Sequence, residues 1–437
     1  MNKKLGLTGK IFLGLLLGII IGLLLKILPS GFIKDDLLLN GIFKLLGDGF
    51  IAAIKMLVVP LVLVSLTCGA SSMEDVKKIG RVGGKTILFY LFTTAMAITI
   101  SICFALLVKP GIGLDMSNIV TQEATIGESK SFVNTLLDMI PTNPFKSMVE
   151  GNMLQVIVFS LLLGIAMNLI GNKAEPVKKI FESFNDLFMK MLDLIMQLAP
   201  FGVFALIATT FATTGFDAMI PLLKYMSCIL ISLAIQGFVV YSGLLKLFTK
   251  LPLKPFYKRF TRIAAVTFST SSSNASLPVS SETMQEAGVS NTITSFTLPL
   301  GCTINMDGTA IMQGTAAIFI SQIYGIDLGI SGILTIILTA TLASIGTAGV
   351  PGVGMVMLSM VLQAVGLPVE GIALILGIDR ILDMCRTTIN VMGDCICTLI
   401  ISKSEKDLDL DKYLNVESNQ NLENNNLKRF GCIKNFV

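Results

Sequence analysis

The residues best equipped for chemistry lie near the C-terminal end of the sequence. Asp379, Asp383, Arg386, Asn390 and Asp394 follow one another at steps of four, three, four and four. That spacing puts all five on one face of a helix, with Thr387 beside them. The surrounding run from Gly377 to Ser402 is otherwise largely apolar. Against lipid, the four charged members would cost on the order of 10–14 kcal/mol, at ~2.5–3.5 kcal/mol each. The stripe is therefore expected to line an internal cavity. An Asp383–Arg386 ion-pair ladder is the plainer alternative.

Three more segments carry polar chemistry inside apolar stretches. Asn305-Met306-Asp307-Gly308-Thr309 interrupts the run from about Ile293 to Ile323. Gly308 is expected to ease unwinding there. Freed carbonyls plus one carboxylate make an oxygen-only site suited to a hard cation. Ser269-Thr270-Ser271-Ser272-Ser273-Asn274-Ala275-Ser276-Leu277-Pro278 is too polar to face lipid. It reads as the tip of a re-entrant hairpin, since non-helical backbone at membrane depth must be buried or line a wet cavity. Ser344-Ile345-Gly346-Thr347-Ala348-Gly349-Val350-Pro351-Gly352-Val353-Gly354 splits the run from 330 to 366 and reads as a second hairpin, whose glycines suit a gate. Close helix packing through small residues is the alternative there, and Pro351 argues against it.

The elements that must position these residues are membrane helices. Of 437 residues, 53% are hydrophobic and only 14% charged, well below the ~25% of soluble domains. Six apolar spans are expected in the first half, at 11–28, 41–70, 84–108, 150–171, 178–211 and 218–248, each long enough for a ~30 Å core. The first has no small-residue cleavage site after it and reads as an uncleaved helix. Lys77, Lys78, Arg81, Lys85, Lys173, Lys178, Lys179 and the basic run from Lys246 to Arg262 fall in alternate loops. Asp35, Asp36, Asp115, Glu123, Glu128 and Asp217 fall in the others. Basic loops face the cytoplasm, so both termini are expected there, in a cell (inner or plasma) membrane. The Asn-rich segment 403–437 reads as a disordered cytoplasmic tail.

The sequence contains no His, which removes Ser–His and Cys–His nucleophile pairs. The eight cysteines form no CxxC pair, and most sit in apolar runs. Neither an enzyme nor a nucleic-acid-binding protein is expected. The two broken hairpins, each followed by a polar membrane helix entered from the opposite side, fit the inverted repeats of secondary transporters.

With these motifs in this order, the chain resembles the glutamate transporter family, the dicarboxylate/amino-acid:cation symporters, over nearly everything up to Ser402. The resemblance implies an all-α membrane protein of eight transmembrane helices and two re-entrant hairpins, assembled as a homotrimer. It implies an elevator motion of a transport core (84–108 and 255–402) against a scaffold (1–83 and 109–248). The implied substrate contacts are Ser271, Ser272, Ser273, Thr309, Val350, Gly354, Asp383, Arg386, Thr387 and Asn390. Implied sodium sites are Gly301, Asn305, Asn390 and Asp394; Thr303, Ser344, Ile345 and Thr347; and Tyr90, Thr93, Thr94, Asn305 and Asp307. Arg386 suits a side-chain carboxylate, Asp383 an α-ammonium, and Asp394 a sodium ion. Together they imply sodium-coupled import of aspartate or glutamate, with a proton-coupled C4-dicarboxylate symporter as the alternative. Arg380 stands where the family has no Arg, while Ser271 and Met384 occupy two positions where members carry one, so the cation that balances Asp383 is left open.

Overall fold

The computed structural model describes residues 7–71, 80–114, 137, 140–215, 219–345 and 352–414. Among these residues the chain is helical almost throughout, and the one β feature is an isolated bridge between Val289 and Leu408. An apolar chain surrounded by lipid has to close its own backbone hydrogen bonds, and helices do so within one segment.

The first half contains α1 (Leu7–Ile27), a π-helical stretch (Ile33–Phe43) leading into α2 (Lys44–Ser71), α3 (Gly80–Val108) and the short α4 (Pro144–Glu150). Then come α5 (Met153–Ile170), α6 (Glu175–Met196), α7 (Ala199–Thr214) and α8 (Met219–Ala234), which passes through a π-helical turn (Ile235–Tyr241) into α9 (Ser242–Thr249). Six helical stretches among the described residues are long and apolar enough to cross a membrane, five of them in this half.

Two expected spans change. The run 178–211 is divided between α6 and α7 at Gln197–Leu198. Pro200 lies in the first turn of α7, where a missing N–H is tolerated, and in the interior of a continuous helix it would remove a hydrogen bond. The run 150–171 begins only at Met153. Asn143 caps α4 by accepting from the Lys146 N–H at 3.2 Å, and Gly151, in the left-handed region, ends it.

Helix α1 packs extensively on α7. Gly14, Gly18 and Gly22 stand every fourth residue on α1, opposite Pro200, Phe204 and Ala208 at the same spacing on α7. A β-carbon on Gly18 would sit 2.8 Å from the Phe204 carbonyl oxygen, and one on Gly22 would sit 2.6 Å from that of Ala208. Between apolar helices in lipid, such close backbone approach supplies the packing that a hydrophobic driving force cannot.

The second half contains α10 (Leu253–Thr270), α11 (Ser273–Glu286), α12 (Asn291–Ile304), α13 (Asp307–Ile323), α14 (Gly329–Ser344) and α15 (Val353–Ala364). A 3-10 turn (Val369–Gly371) leads into the long α16 (Ile372–Ser404), and α17 (Leu410–Leu414) follows. Consecutive helices pair as α10 with α11 and α14 with α15. Helix α16 runs through the middle, against α10, α11, α12, α13, α3, α7 and α8. Its span is the most deeply buried of the six.

The disorder expected from residue 403 does not hold for residues 403–414, where the chain is docked on the helices, and residues 415–437 lie outside the described residues. Lys85 Nζ meets Glu405 Oε1 at 2.7 Å, Ser290 bonds Asp407, and the Asp409 N–H donates to Gly288 O at 2.9 Å. The Tyr413 ring is buried and its hydroxyl donates to Pro252 O at 2.9 Å. Arg259 donates to the carbonyls of Lys412 (2.7 Å) and Tyr413 (2.8 Å), which satisfies the C-terminal end of α17. A buried aromatic with its polar tip satisfied is a strong anchor. Composition alone hid it in an Asn-rich segment.

The α1–α7 seam gives a stability prediction. Gly18→Val should destabilise the protein by about 1–3 kcal/mol through overpacking, read as a lower unfolding temperature in detergent. Gly49→Ala, where a β-carbon would meet nothing within 4 Å, should instead gain up to ~1 kcal/mol. Equal behaviour of the two variants would show that the glycine stripe does not set the seam.

Candidate functional site

Helix α16 carries the charged stripe as one unbroken helix, and its spacing brings Asp379, Asp383 and Arg386 into contact. Arg386 is 1% exposed. Its Nη1 lies 2.5 Å from Asp379 Oδ1 and its Nη2 lies 3.0 Å from Asp383 Oδ1. Arg380 Nη1 approaches the other oxygen of Asp383 at 3.3 Å. The cluster therefore balances two carboxylates with two guanidinium groups. Arg386 and Arg380 together answer which cation faces Asp383. The Asp383–Arg386 ion pair weighed as the plainer alternative is present, extended by Asp379 and Arg380. Arg386 Nε is buried without a hydrogen-bond partner, so its N–H is an unused donor.

One turn further on, Thr387 donates to the Asp383 carbonyl at 2.8 Å. Asn390 Oδ1 accepts from the Gly308 N–H at 2.7 Å. That bond draws the break between α12 and α13 against α16. The break itself falls at Asn305–Met306, ahead of Gly308. Gly308 serves a different purpose from the expected easing of the helix. A β-carbon there would stand 2.6 Å from the Arg386 carbonyl oxygen, so its absence lets α13 begin directly on the backbone of α16. Gly354, in the first turn of α15, comes close to both Thr309 and Arg386. A β-carbon on it would lie 3.4 Å from Thr309 Cγ2 and 3.6 Å from Arg386 Nη2.

Ser271, Ser272 and Ser273 form the tip joining α10 to α11. Ser271 takes a left-handed backbone (φ 51°), and Ser272 caps α11 by accepting from the Ala275 N–H at 3.3 Å. The Ser271 hydroxyl is buried without a partner. The α10–α11 pair packs on α16, with Thr267 donating to Thr388 at 3.2 Å. Among the described residues, no hydrogen bond runs from this tip to Arg386. Val350 and Thr347 lie outside the described residues.

Two further carboxylates, Asp307 and Asp394, are fully buried. Among the described residues neither has an ion-pair partner. Asp307 Oδ1 accepts from Thr94 at 2.6 Å, while Oδ2 accepts from Tyr241 (2.6 Å) and Gln236 Nε2 (2.8 Å). Asp394 Oδ1 accepts from Asn305 Nδ2 at 2.8 Å, and the same nitrogen reaches the Asn390 carbonyl at 2.8 Å. Gly301 abuts the Asp394 carboxylate and the Tyr90 hydroxyl, which donates to Thr297 O at 3.1 Å. Thr93 donates to Tyr90 O at 3.2 Å. Asn305 Oδ1 is buried with no hydrogen-bond partner. Buried carboxylates are otherwise paired or ligate a cation. Carboxylate, amide and carbonyl oxygens are the donors a hard cation takes.

The structure thus assembles Gly301, Asn305, Asn390 and Asp394. It also brings Thr94 to Asp307, on a helix that carries Tyr90 and Thr93 as well. Thr303, Ser344 and Ile345 stand near the ends of α12 and α14, and no hydrogen bond among the described residues joins them. Gln236 and Tyr241 escaped the sequence reading. The available signal was a lone amide in the apolar run 218–248.

A family model, that of the sodium:dicarboxylate symporter family, matches residues 7–404. The chain is 38% identical to a proton/sodium-glutamate symport protein of Geobacillus stearothermophilus, over 92% of this chain and 95% of that one. It is 38% identical to a proton/glutamate-aspartate symporter of Escherichia coli, covering 95% and 97% of the two chains. A C4-dicarboxylate transport protein of Bacillus subtilis is 33% identical over 85% of this chain and 89% of its own.

The ladder on α16 sets an expectation for stability. Asp379→Asn removes the nearer partner of a buried guanidinium, a change that costs about 3–5 kcal/mol for an isolated buried pair. With Asp383 still facing Nη2, the loss should lie near the lower end, read by thermal or denaturant unfolding of purified protein. A loss under ~1 kcal/mol, the range of an exposed pair, would show that Asp383 alone suffices.

Proposed function

The chain belongs to the sodium:dicarboxylate symporter family, and from that premise we propose that it imports an acidic amino acid, aspartate or glutamate, coupled to sodium. The observation that carries this reading is the pairing of Arg386 with Asp383, one turn apart on α16. A guanidinium fork suits a side-chain carboxylate, and a neighbouring carboxylate suits an α-ammonium. An acidic amino acid presents both groups, whereas a dicarboxylate has no ammonium for Asp383. The fork is already occupied by Asp379 and Asp383. Substrate entry exchanges one carboxylate for another at the guanidinium, so Arg386 is not left without a partner in the apolar interior. Asp383, once released, takes the ammonium. No covalent bond forms or breaks, so the protein works as a carrier.

Sodium is the proposed co-substrate at Asp394 with Gly301, Asn305 and Asn390, and at Asp307 with Tyr90, Thr93, Thr94 and Asn305. The orphaned Asn305 Oδ1 supports this donor set. Thr303, Ser344, Ile345 and Thr347 are the proposed third set. In the proposed architecture of eight transmembrane helices, α10–α11 and α14–α15 are the re-entrant hairpins. They and α12, α13, α16 and α3 form the moving core of an elevator within a homotrimer. We place 219–249 with that core and not with the scaffold to which the sequence reading assigned it, because Gln236 and Tyr241 bond Asp307. Helices α1, α2 and α5 to α7 remain the scaffold. Lys85, Pro252 and Arg259 all touch the segment after Ser404, which supports a C-terminus on the same side as the basic loops, the cytoplasm.

Uptake into proteoliposomes tests the coupling. Three sodium ions with one monoanion carry two net charges, worth about 4.6 kcal/mol at ~100 mV, enough for accumulation on the order of a thousandfold. Labelled aspartate should accumulate in a sodium gradient and not in choline with a proton gradient. Succinate should be a poor competitor. Equal accumulation on protons alone, or preference for succinate, would replace this reading with a proton-coupled C4-dicarboxylate symporter.

Arg386→Cys should abolish acidic substrate binding and admit small neutral amino acids such as serine, since the ammonium still finds Asp383. Arg386→Lys should also fail, because one ammonium cannot reproduce a planar two-point contact. Calorimetry in saturating sodium measures both. If Arg386→Cys binds aspartate within about tenfold of wild type, a difference under ~1.4 kcal/mol, the clamp is Arg380, already 3.3 Å from Asp383.

A further inference from the structure

Helix α8 changes its pitch where the apolar run meets its one buried amide. From Ile235 to Tyr241 the chain is π-helical, and this decides where two side chains point. Residues five apart in an α-helix stand about 140° apart, given its 3.6 residues per turn. In a π-helix five residues is the hydrogen-bonding interval, so Gln236 and Tyr241 come onto one face. Both side chains are fully buried, and both donate to the same atom, Asp307 Oδ2, at 2.8 and 2.6 Å.

The neighbouring elements are shaped to admit this turn. Gly393 on α16 has no β-carbon, and one placed there would collide with the Tyr241 hydroxyl and stand 2.5 Å from Asn305 Nδ2. A β-carbon on Gly237 would stand 2.8 Å from Ile389 Cδ1. Tyr257 donates to the Gly237 carbonyl at 3.2 Å, which gives that backbone oxygen a partner within the irregular turn. On the amide of Gln236, Oε1 is buried with no hydrogen-bond partner.

We propose that the π-helical turn is a wall of the Asp307 cation site: Gln236 and Tyr241 hold Oδ2, so that Oδ1 is presented to a sodium ion, and Gln236 Oε1 is a further neutral oxygen for it. The two are positioning residues in the sense that they act on the ion through the carboxylate. A carboxylate fixed by two donors on one oxygen cannot rotate away from its cation. The single donor on Oδ1, the Thr94 hydroxyl, can turn its proton aside and ligate through its lone pairs. This inference rests on the sodium-coupled reading of the same site.

The test uses full-length purified protein and calorimetric aspartate binding at graded sodium. Tyr241→Phe and Gln236→Leu should each raise the half-saturating sodium concentration by about tenfold, the loss of one charge-assisted hydrogen bond. Excess sodium should restore aspartate affinity to within about threefold of wild type by mass action. Deleting Val239, an exposed residue of the turn, returns the helix to α-pitch and should weaken sodium dependence further; if that protein does not fold, the two point variants decide. Unchanged sodium dependence in both point variants overturns the inference while leaving sodium symport intact. A loss of aspartate affinity that excess sodium does not restore, together with a lowered unfolding temperature, assigns both residues to packing and also overturns it. Wild-type protein that binds aspartate equally well without sodium overturns the symport reading and this inference with it.

Discussion

A guanidinium at 1% exposure, in a chain whose surface is built for lipid, has to be answered by protein on nearly every side. Arg386 is answered by Asp379 and Asp383 from its own helix. That arrangement explains much of the surrounding structure. The residues that answer it are spaced by the helix itself, so α16 must stay unbroken through the membrane core while α12 and α13 are interrupted beside it. Removing one partner of a buried pair leaves a desolvated charge, and that cost exceeds the net worth of the pair. A site built this way is tolerant of one exchange only, that of a carboxylate for a carboxylate.

The interruption beside α16 follows from the same constraint. Backbone freed at Asn305–Met306 cannot be left unsatisfied at this depth. Helix α16 supplies a partner: the Asn390 side chain takes the Gly308 N–H, while its carbonyl takes the Asn305 side-chain amide and the Asn305 backbone N–H stays on Gly301 O. Small residues make the approach possible, Gly308 against Arg386 and Gly393 against Asn305. Glycine here serves the distance between helices more than the freedom of any one of them.

Much of the site was legible because burying charge in lipid is expensive. Asp379 to Asp394 stood out by spacing, and Asp307 by its apolar surroundings. The Ser-rich tip was found because it was too polar for its position. The misses have physical causes as well. The division at Gln197–Leu198 was hidden by unbroken hydropathy, although Pro200 marked it. The docked segment to Leu414 was hidden because one tyrosine and a distant Arg259 outweigh the composition around them. Gln236 and Tyr241 were hidden because an α-helical wheel puts them on different faces. Only a π-helical turn joins them, and hydrophobic periodicity carries no sign of such a turn.

The proposed substrate and cation sites are not separate constructions. Asn390 belongs to both: its side chain bonds the start of α13, which carries Thr309, and its carbonyl bonds Asn305, which bonds Asp394. Met306 lies between them, with its sulfur 3.4 Å from Asn390 Nδ2 and 3.9 Å from Thr309 Oγ1. On the proposed reading, a cation drawn to Asn305 Oδ1 pulls on the same two-residue break that sets Thr309 and Gly308 beside Arg386. Two ligands that bias one shared element change each other's affinity by the same factor. Coupling then needs no long pathway through the protein, because the break at Asn305–Met306 is common to both sites.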